Sequence, residues 1–142
     1  MRYLLDTCAV SEPTKKVPNT NFLSWFESRD EARLYISVIT SGEIENGIYR
    51  MPKSKKRASL ETWLNDQVLF GFLGRVLEIT QTTMSAWASL SADLSKKGIV
   101  RPSFDSLIEA TALEHDMVLV TRNVKNFQGS PVTILNPWEP AN

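Results

Sequence analysis

The sequence predicts a single α/β domain, residues 1–142, built on a central, mostly parallel sheet of four to five strands. Three observations predict this class. Short apolar segments alternate with longer amphipathic segments along the whole chain. The apolar segments are continuous rather than alternating, which is typical of parallel strands that are buried on both faces. The length of 142 residues, with 42% hydrophobic and 23% charged residues, suits one ordinary globular domain.

The first half of the chain contains two predicted strands and three predicted helices. "RYLLD" (2–6) is too short for a helix and indicates a buried strand. "PNTNFLSWFESRDE" (18–31) carries aromatic residues at helical spacing, and "RLYISVIT" (33–40) is apolar and β-branched, as strands are. "SGEIENGIYRM" (41–51) has isoleucines one turn apart, which indicates a helix. "KSKKRASLETWLNDQVLFGF" (53–72) is a helix with a basic start that breaks near its glycines.

The second half repeats the alternation. "RVLEIT" (75–80) is the third predicted strand. "TTMSAWASLSADLSKKG" (82–98) is an amphipathic helix, and its two lysines and final glycine are typical of a helix C-terminus. "RPSFDSLIEATALEHD" (101–116) is a second helix, with proline and serine at its start. "MVLVTRN" (117–123) and "PVTIL" (131–135) complete the sheet as its fourth and fifth strands.

Composition excludes several classes of protein. Sixteen Lys and Arg residues balance sixteen Asp and Glu residues, so no global basic field indicates a nucleic-acid binder. The single cysteine excludes an internal disulfide framework and fits a reducing compartment. No apolar stretch approaches the length that spans a membrane, and the N-terminus does not resemble a signal peptide. We therefore expect a cytoplasmic protein with no membrane contact.

Three acids and one amide fall at corresponding places in the predicted sheet. Asp6 ends the first strand, and Glu43 lies in the first turn of the helix after the second strand. Asp105 lies in the first turn of the helix that precedes the fourth strand, and Asn123 sits just beyond that strand. Because sites in open parallel sheets form outside the carboxyl ends of the strands, these side chains are expected to converge on one edge.

Converging carboxylates repel one another, and a divalent cation relieves that repulsion. Oxygen ligands favour Mg²⁺ or Mn²⁺, and the chain has no cysteine–histidine set that suits zinc. Such an ion orients a water, lowers its pKa and stabilises charge on a phosphoryl oxygen. The pattern therefore points to metal-assisted hydrolysis of phosphodiester bonds.

Each acid also has a structural explanation that the sequence leaves open. Thr40 and Glu43 match a capping box, in which Glu43 satisfies only a backbone N–H. Asp105 in a first helical turn is favourable against the helix dipole whatever else it does. Asp6 can simply cap the short helix that follows it. A phosphatase with Asp6 as its nucleophile is a weaker alternative, because the second acid expected two residues later is Cys8.

At these residues the chain resembles the PIN-domain family, specifically the VapC-type toxins of bacterial toxin–antitoxin pairs and their FitB-like branch. The matching segments are "LLDTCAVSE", "SVITSGEIENGI", "FDSLIEATALEHDMVLVTRNVKNF" and "ILNPWE". The resemblance implies a three-layer α/β/α sandwich with Mg²⁺- or Mn²⁺-dependent ribonuclease activity on RNA. It also implies a homodimer that is inhibited by a cognate antitoxin, in a larger complex whose antitoxin contacts operator DNA.

Carried across by position, the resemblance makes Asp6, Glu43 and Asp105 the metal ligands and catalytic acids, with Thr7 as the polar neighbour of Asp6. Cys8 departs from the family pattern, which usually has Asn there.

The fourth acid of the family is also missing. Behind the Thr121–Arg122 pair the chain has Asn123 and Asn126, which can ligate or hold a water but cannot neutralise charge. Glu109 stands where Ala is common, one turn after Asp105, so it either replaces the lost acid or faces solvent. Arg122 is the best single candidate for a phosphate contact.

These departures support an alternative to catalysis. With Cys8, Asn123 and Asn126 marking a degenerate site, the chain would be a protein- or RNA-binding module on the same fold. A basic cluster lies at the start of the predicted helix 53–72 and comprises Lys53, Lys55, Lys56 and Arg57. We expect it to be a solvated helix start rather than an RNA-binding surface.

Overall fold

The computed structural model describes residues 1–140 and contains one five-stranded sheet flanked by six α-helices. The strands are β1 (Tyr3–Leu5), β2 (Leu34–Ser37), β3 (Val76–Leu77), β4 (Val118–Val120) and β5 (Ile134–Leu135). The helices are α1 (Thr7–Ser11), α2 (Thr20–Glu27), α3 (Val38–Tyr49), α4 (Lys55–Trp63), α5 (Gln81–Lys96) and α6 (Ser103–His115). Short 3-10 turns cover Glu12–Thr14, Glu31–Arg33 and Val124–Phe127.

The order of the strands places a topological switch in the middle of the sheet. The order is β3-β2-β1-β4-β5, and all four pairings are parallel. From β1 the chain builds outward to β2 and β3, and it then returns to the other side of β1 to add β4 and β5. The crevice at the carboxyl ends of β1 and β4 is therefore the place where a parallel sheet of this kind binds its ligand.

Helices cover both faces of the sheet, as predicted. Leu5 and Val120 pack with α1, α2, α3 and the segment after α4 on one face. Leu4 and Leu119, one residue earlier on the same strands, pack with α6 on the other face. Because successive side chains of a strand point to opposite faces, continuous apolar strands fill two cores at once. The predicted three-layer α/β/α sandwich is confirmed.

The start of α3 differs from the prediction. Ser37 accepts a hydrogen bond from the Ile39 amide at 3.0 Å, so the helix begins at Val38 rather than at Thr40 or Ser41. Thr40 lies inside the helix, and within residues 1–140 its buried hydroxyl has no hydrogen-bond partner. The predicted capping box of Thr40 and Glu43 is wrong, because the serine cap comes first and leaves Glu43 free for another contact.

The helix predicted over residues 53–72 forms two kinds of helix. After α4 the backbone continues as a π-helix over Leu64–Leu69 and then leaves helical geometry near Gly71. A Cβ at Gly71 would collide with the Gln67 carbonyl oxygen, and Gly74 has a left-handed φ of 83°. These two glycines therefore end the segment, as predicted. Lys55 and Lys56 are exposed, and Arg57 pairs with Glu61 at 2.8 Å, which fits a solvated helix start.

The C-terminal segment returns to the sheet. β5 pairs with β4, and the buried Trp138 ring lies 4.6 Å from the Phe22 ring between centroids. The last two residues of the predicted 1–142 domain lie outside the described residues. Within residues 1–140, no helix has the length and apolar character needed to cross a membrane.

Candidate active site

Asp6 is held rigidly at the end of the central strand. Its backbone N–H donates to the Val120 carbonyl at 3.1 Å, which continues the β1–β4 ladder by one residue. Its side chain caps α1 by accepting a hydrogen bond from the Ala9 amide at 2.9 Å, which is the structural role that the sequence left open, and only 8% of Asp6 is exposed. One carboxylate oxygen therefore stabilises the helix, while the side chain as a whole faces the crevice.

Thr7 and Glu43 join the first strand end to the second. The Thr7 hydroxyl donates to Glu43 Oε1 at 2.8 Å across the gap between α1 and α3. Glu43 is half-buried in the second turn of α3, on the crevice side. The hydrogen bond fixes the position of the carboxylate, while its second oxygen makes no hydrogen bond to residues 1–140.

Cys8 contacts the Asp6 carboxylate directly. Its thiol donates to both Asp6 oxygens, at 2.9 and 3.1 Å, and its Sγ accepts the Arg122 amide at 3.5 Å. The side chain also packs against the core on the α1 face, as expected of a small apolar residue. Burial, the charge of Asp6 and the hydrogen bond that the thiol donates to Asp6 raise the pKa of Cys8 to about 12, so the sulfur keeps its proton.

The segment after β4 brings the predicted polar residues to the same place. Thr121 is fully buried, and its hydroxyl accepts a hydrogen bond from the Asn123 amide at 3.0 Å. Asn123 and Asn126 both line the crevice. Arg122 is exposed beside it, and within residues 1–140 its side chain forms no ion pair.

Asp105 and Glu109 lie on consecutive turns of α6 but have different surroundings. Asp105 is half-buried at the crevice. Glu109 is fully buried, and its two oxygens accept hydrogen bonds from the Arg101 guanidinium at 2.8 and 2.9 Å. Of the two alternatives left open for Glu109, the solvent-facing one is wrong; the carboxylate is neutralised by Arg101 and does not line the crevice.

The crevice, called here the acidic cleft, gathers most of the predicted site. Its volume is about 310 Å³, and it is lined by Asp6, Thr7, Cys8, Ser11, Glu43, Asp105, Ile108, Thr121, Asn123, Asn126 and Phe127. Arg122 and Glu109 are absent from this lining. Sequence reasoning missed Ser11, Ile108 and Phe127. Ser11 lies one turn after Thr7 in α1, and Ile108 lies one turn after Asp105 in α6, so helical spacing alone could have found them.

Two carboxylates of the acidic cleft, Asp6 and Asp105, are incompletely compensated. The pKa of Asp6 is raised above its ordinary value because burial outweighs the hydrogen bonds from Cys8, Thr121 and Ala9. The pKa of Asp105 is also raised, by burial and by the charges of Asp6 and Glu109, against the lowering effect of Arg101. Within residues 1–140, neither carboxylate forms an ion pair with Lys or Arg. The cleft therefore disfavours its own negative charge and would gain from a cation.

The donor set fits a hard divalent cation in part. Among residues 1–140, no three His, Cys, Asp or Glu side chains stand close enough together to hold a metal as they are. Mg²⁺, however, usually keeps several waters and takes only one or two carboxylates from the protein. Asp6, Asp105 and Glu43 offer oxygen ligands of that kind, and the raised pKa values of the two aspartates supply the electrostatic reason to bind.

Residues 3–128 match the PIN domain, and the chain belongs to the PIN-domain family. The parallel sheet, its switch point and the acids at the strand ends agree with this assignment.

Within that family the similar proteins include a VapC ribonuclease and a toxin. The chain is 35% identical over 138 residues to the VapC ribonuclease Y4jK of Sinorhizobium fredii, covering 97% of this chain and 99% of the relative. It is 30% identical over 135 residues to the toxin FitB of Neisseria gonorrhoeae, covering 95% and 97%. The solved structure of FitAB bound to an IR36 DNA fragment has a TM-score of 0.93 at 29% identity, covering 99% of this chain and 98% of that one. The resemblance to VapC-type toxins and their FitB-like branch is confirmed.

Proposed function

We propose that this chain is a metal-dependent endoribonuclease that acts as the toxin of a VapBC-type toxin–antitoxin pair. One observation carries the proposal: Asp6, Glu43 and Asp105, which are distant in sequence, line one cleft at the switch point of the sheet. The name of the relative Y4jK as a VapC ribonuclease supports the reaction class. RNA is the proposed substrate, and hydrolysis of its phosphodiester bonds is the proposed reaction.

Each predicted residue then has a physical role. Asp6, Asp105 and Glu43 would hold Mg²⁺ or Mn²⁺, which when bound activates water and stabilises charge on a phosphoryl oxygen. Thr7 fixes the Glu43 carboxylate, and Thr121 anchors the backbone of Asn123.

Neutral and basic groups complete the proposed site. Asn123 and Asn126 present amide groups that hydrogen-bond water or RNA without adding charge. Arg122 and Lys125 are exposed beside the cleft and are the proposed phosphate contacts.

The first test measures RNA cleavage by the purified chain with Mg²⁺ or Mn²⁺, and with EDTA. We expect cleavage that EDTA abolishes and that Asp6→Asn and Asp105→Asn remove. Asp93→Asn is the matched control, because it makes the same change on the exposed face of α5, away from the cleft. Undiminished cleavage by both cleft variants would overturn the site assignment.

The alternative to the nuclease is a binding module with the same fold and a degenerate, inactive site. Calorimetric titration with Mn²⁺ distinguishes the two, because a nuclease site binds the ion and Asp6→Asn weakens that binding. If the wild-type chain neither binds Mn²⁺ at millimolar concentration nor cleaves RNA, the nuclease proposal fails and the binding module replaces it.

We propose a cognate antitoxin as the protein partner, by analogy with relatives whose solved structures are toxin–antitoxin complexes. An apolar groove of about 420 Å³ between the N-terminal segment and α4 suits a protein segment; its lining includes Val10, Pro13, Phe26, Leu34, Trp63, Val68 and Phe72. Expression of the chain alone should arrest growth, Asp6→Asn should relieve the arrest, and co-expression of the neighbouring small reading frame should protect the cells. Toxicity that Asp6→Asn does not reduce would count against the proposal.

The remaining features of the proposal come from the composition of the chain and from its resemblance to VapC-type toxins. The chain is proposed to be a cytoplasmic homodimer of one domain, with operator DNA contacted through the antitoxin. The apolar side chains of Val100 and Phe104 are exposed beside α6 and suit a subunit contact. Light scattering should give twice the chain mass of 16.0 kDa, and a monomer at micromolar concentration would contradict the dimer.

A further inference from the structure

A buried ion pair lies directly behind the acidic cleft. Arg101, in the segment between α5 and α6, has 5% of its side chain exposed, and its partner Glu109 has none. The guanidinium binds the carboxylate in a bidentate manner, Nε to Oε1 at 2.8 Å and Nη2 to Oε2 at 2.9 Å. Such paired hydrogen bonds fix both the position and the plane of the guanidinium.

The same guanidinium also holds the loop that follows β4. Its Nη1 donates to the Asn126 carbonyl at 3.0 Å and to the Gln128 carbonyl at 3.1 Å. The guanidinium carbon lies 5.7 Å from the centroid of the Phe127 ring between them. Arg101 therefore connects α6, which carries Asp105, to residues 123–128, here called the cleft loop.

The cleft loop is otherwise held near its two ends: the Asn123 amide donates to the Thr121 hydroxyl at 3.0 Å, and the Phe127 carbonyl accepts from the Ser130 amide at 3.1 Å. Its internal structure is one 3-10 turn, with the Asn126 amide donating to the Asn123 carbonyl at 3.0 Å. Phe127 is buried in the core cluster that also contains Ile108. Asn126 lines both the acidic cleft and a second cavity, and Gln128 lines the second cavity. Within residues 1–140, Arg101 is the hydrogen-bond donor to the Asn126 and Gln128 carbonyls, so it fixes the backbone at the two points beside these cavities.

We propose that Arg101 is a positioning residue, which fixes the cleft loop against α6 and so sets Asn126 relative to Asp105 across the acidic cleft. Glu109 contributes to this positioning, because its carboxylate neutralises the Arg101 guanidinium and holds it behind the cleft, away from Asp6 and Asp105. The catalytic consequence rests on the proposed nuclease function; the fixing of the loop does not.

Buried ion pairs are a weak source of net stability. Replacing both partners with apolar residues of similar size is often neutral or stabilising, whereas removing one partner is strongly destabilising. The double variant Arg101→Met/Glu109→Leu therefore separates positioning from folding. We expect its Tm to equal or exceed that of wild type, while Glu109→Leu alone lowers the Tm because it leaves a buried, unpaired guanidinium.

The test combines amide hydrogen exchange with kinetics on the full chain. In the double variant, the peptide covering 122–129 should exchange faster, while peptides from β1 and α5 stay protected. The kcat for RNA cleavage should fall about 10- to 100-fold, as for residues that orient metal ligands from behind, with a smaller change in KM. Arg101→Lys keeps the charge but loses the planar fork, so it should also speed exchange of the loop.

The matched control is Arg57→Met/Glu61→Leu, which removes a more exposed ion pair of the same chemistry from α4, away from the cleft loop. Exchange of the cleft loop in this control should stay at the wild-type rate. Wild-type loop exchange in the Arg101→Met/Glu109→Leu variant would overturn the proposal, and so would faster exchange with an unchanged kcat. If the wild-type chain cleaves no RNA, the nuclease function fails, and exchange of the loop still decides whether Arg101 fixes it.

Discussion

Two buried carboxylates, Asp6 and Glu12, lie six residues apart, and their surroundings differ completely. Glu12 is 2% exposed and accepts hydrogen bonds from the Trp138 indole at 2.8 Å and the Asn19 amide at 3.0 Å. Lys15 adds an ion pair at 3.0 Å. Asp6 is almost as buried, yet only neutral donors face it, the Ala9 amide, the Cys8 thiol and the Thr121 hydroxyl, and within residues 1–140 no cation pairs with it.

The difference appears in the pKa of each group. Burial acts to raise the pKa of Glu12, but the hydrogen bonds from Trp138 and Asn19 and the charge of Lys15 lower it overall. For Asp6 burial prevails, and the pKa is raised. Glu12 therefore holds the fold together as a fully satisfied carboxylate. Asp6 is a costly carboxylate in a cleft, which is the usual sign of a functional group.

The largest expected effect is that of Asp6→Asn. RNA cleavage should fall by about 10²–10³-fold or more, the range for losing one electrostatic group in an active site. The free energy of unfolding should rise at neutral pH, because Asn keeps the cap on α1 and removes a buried, uncompensated charge. Cleavage assays and urea unfolding of the same preparation measure the two effects.

The opposite pattern is expected at Glu12. Glu12→Gln loses the ion pair to Lys15 and weakens the hydrogen bonds to Trp138 and Asn19, so the free energy of unfolding should fall by about 1–3 kcal/mol. Cleavage per folded molecule should stay at the wild-type level. Glu139→Gln, an exposed change one residue from Trp138, is the control. A Glu12→Gln variant that is as stable as this control would contradict the structural role of the Glu12 carboxylate.

The pH dependence of stability should have opposite signs for the two carboxylates. The contribution of Asp6 is fully present below its ordinary pKa of 3.8 and is lost as the pH rises through its raised folded-state pKa. The contribution of Glu12 is present above its ordinary pKa of 4.5 and is lost as the pH falls through its lowered folded-state pKa.

Urea unfolding from about pH 3 to about pH 8 should therefore show two trends. The stability gained by Asp6→Asn should grow as the pH rises, and the stability lost by Glu12→Gln should shrink as the pH falls. Two difference curves of the same sign would contradict the assignment of the partners.

The smallest effect concerns the thiol beside Asp6. Because the pKa of Cys8 is raised to about 12, a disulfide reagent at neutral pH should react slowly with the folded chain and quickly after unfolding in urea. Asp6→Asn removes part of the cause and should speed labelling of the folded chain. Labelling of the folded wild type at the unfolded rate would exclude the contact between Cys8 and Asp6.

The N-terminus of α3 could not be placed from the sequence, because two residues are equally good N-cap candidates. Both Ser37 and Thr40 are acceptable N-caps, and both precede an apolar helical pattern. The pairing of Ser37 with Leu77 ends β2 at that serine, so the helix starts immediately afterwards. The choice depends on where a neighbouring strand stops, which lies outside any local window.

The sequence by itself determined the layer order, the parallel sheet and the meeting of Asp6, Glu43 and Asp105 at one edge, because these follow from periodicity and from the rule that parallel strands end together. Only the tertiary structure decided which acids are compensated. Glu12 accepts a hydrogen bond from Trp138, which is 126 positions away. Glu109 pairs with Arg101, which also binds the cleft loop. Compensation of a buried charge depends on the few ångströms around it, and those are occupied by side chains from distant segments of the chain.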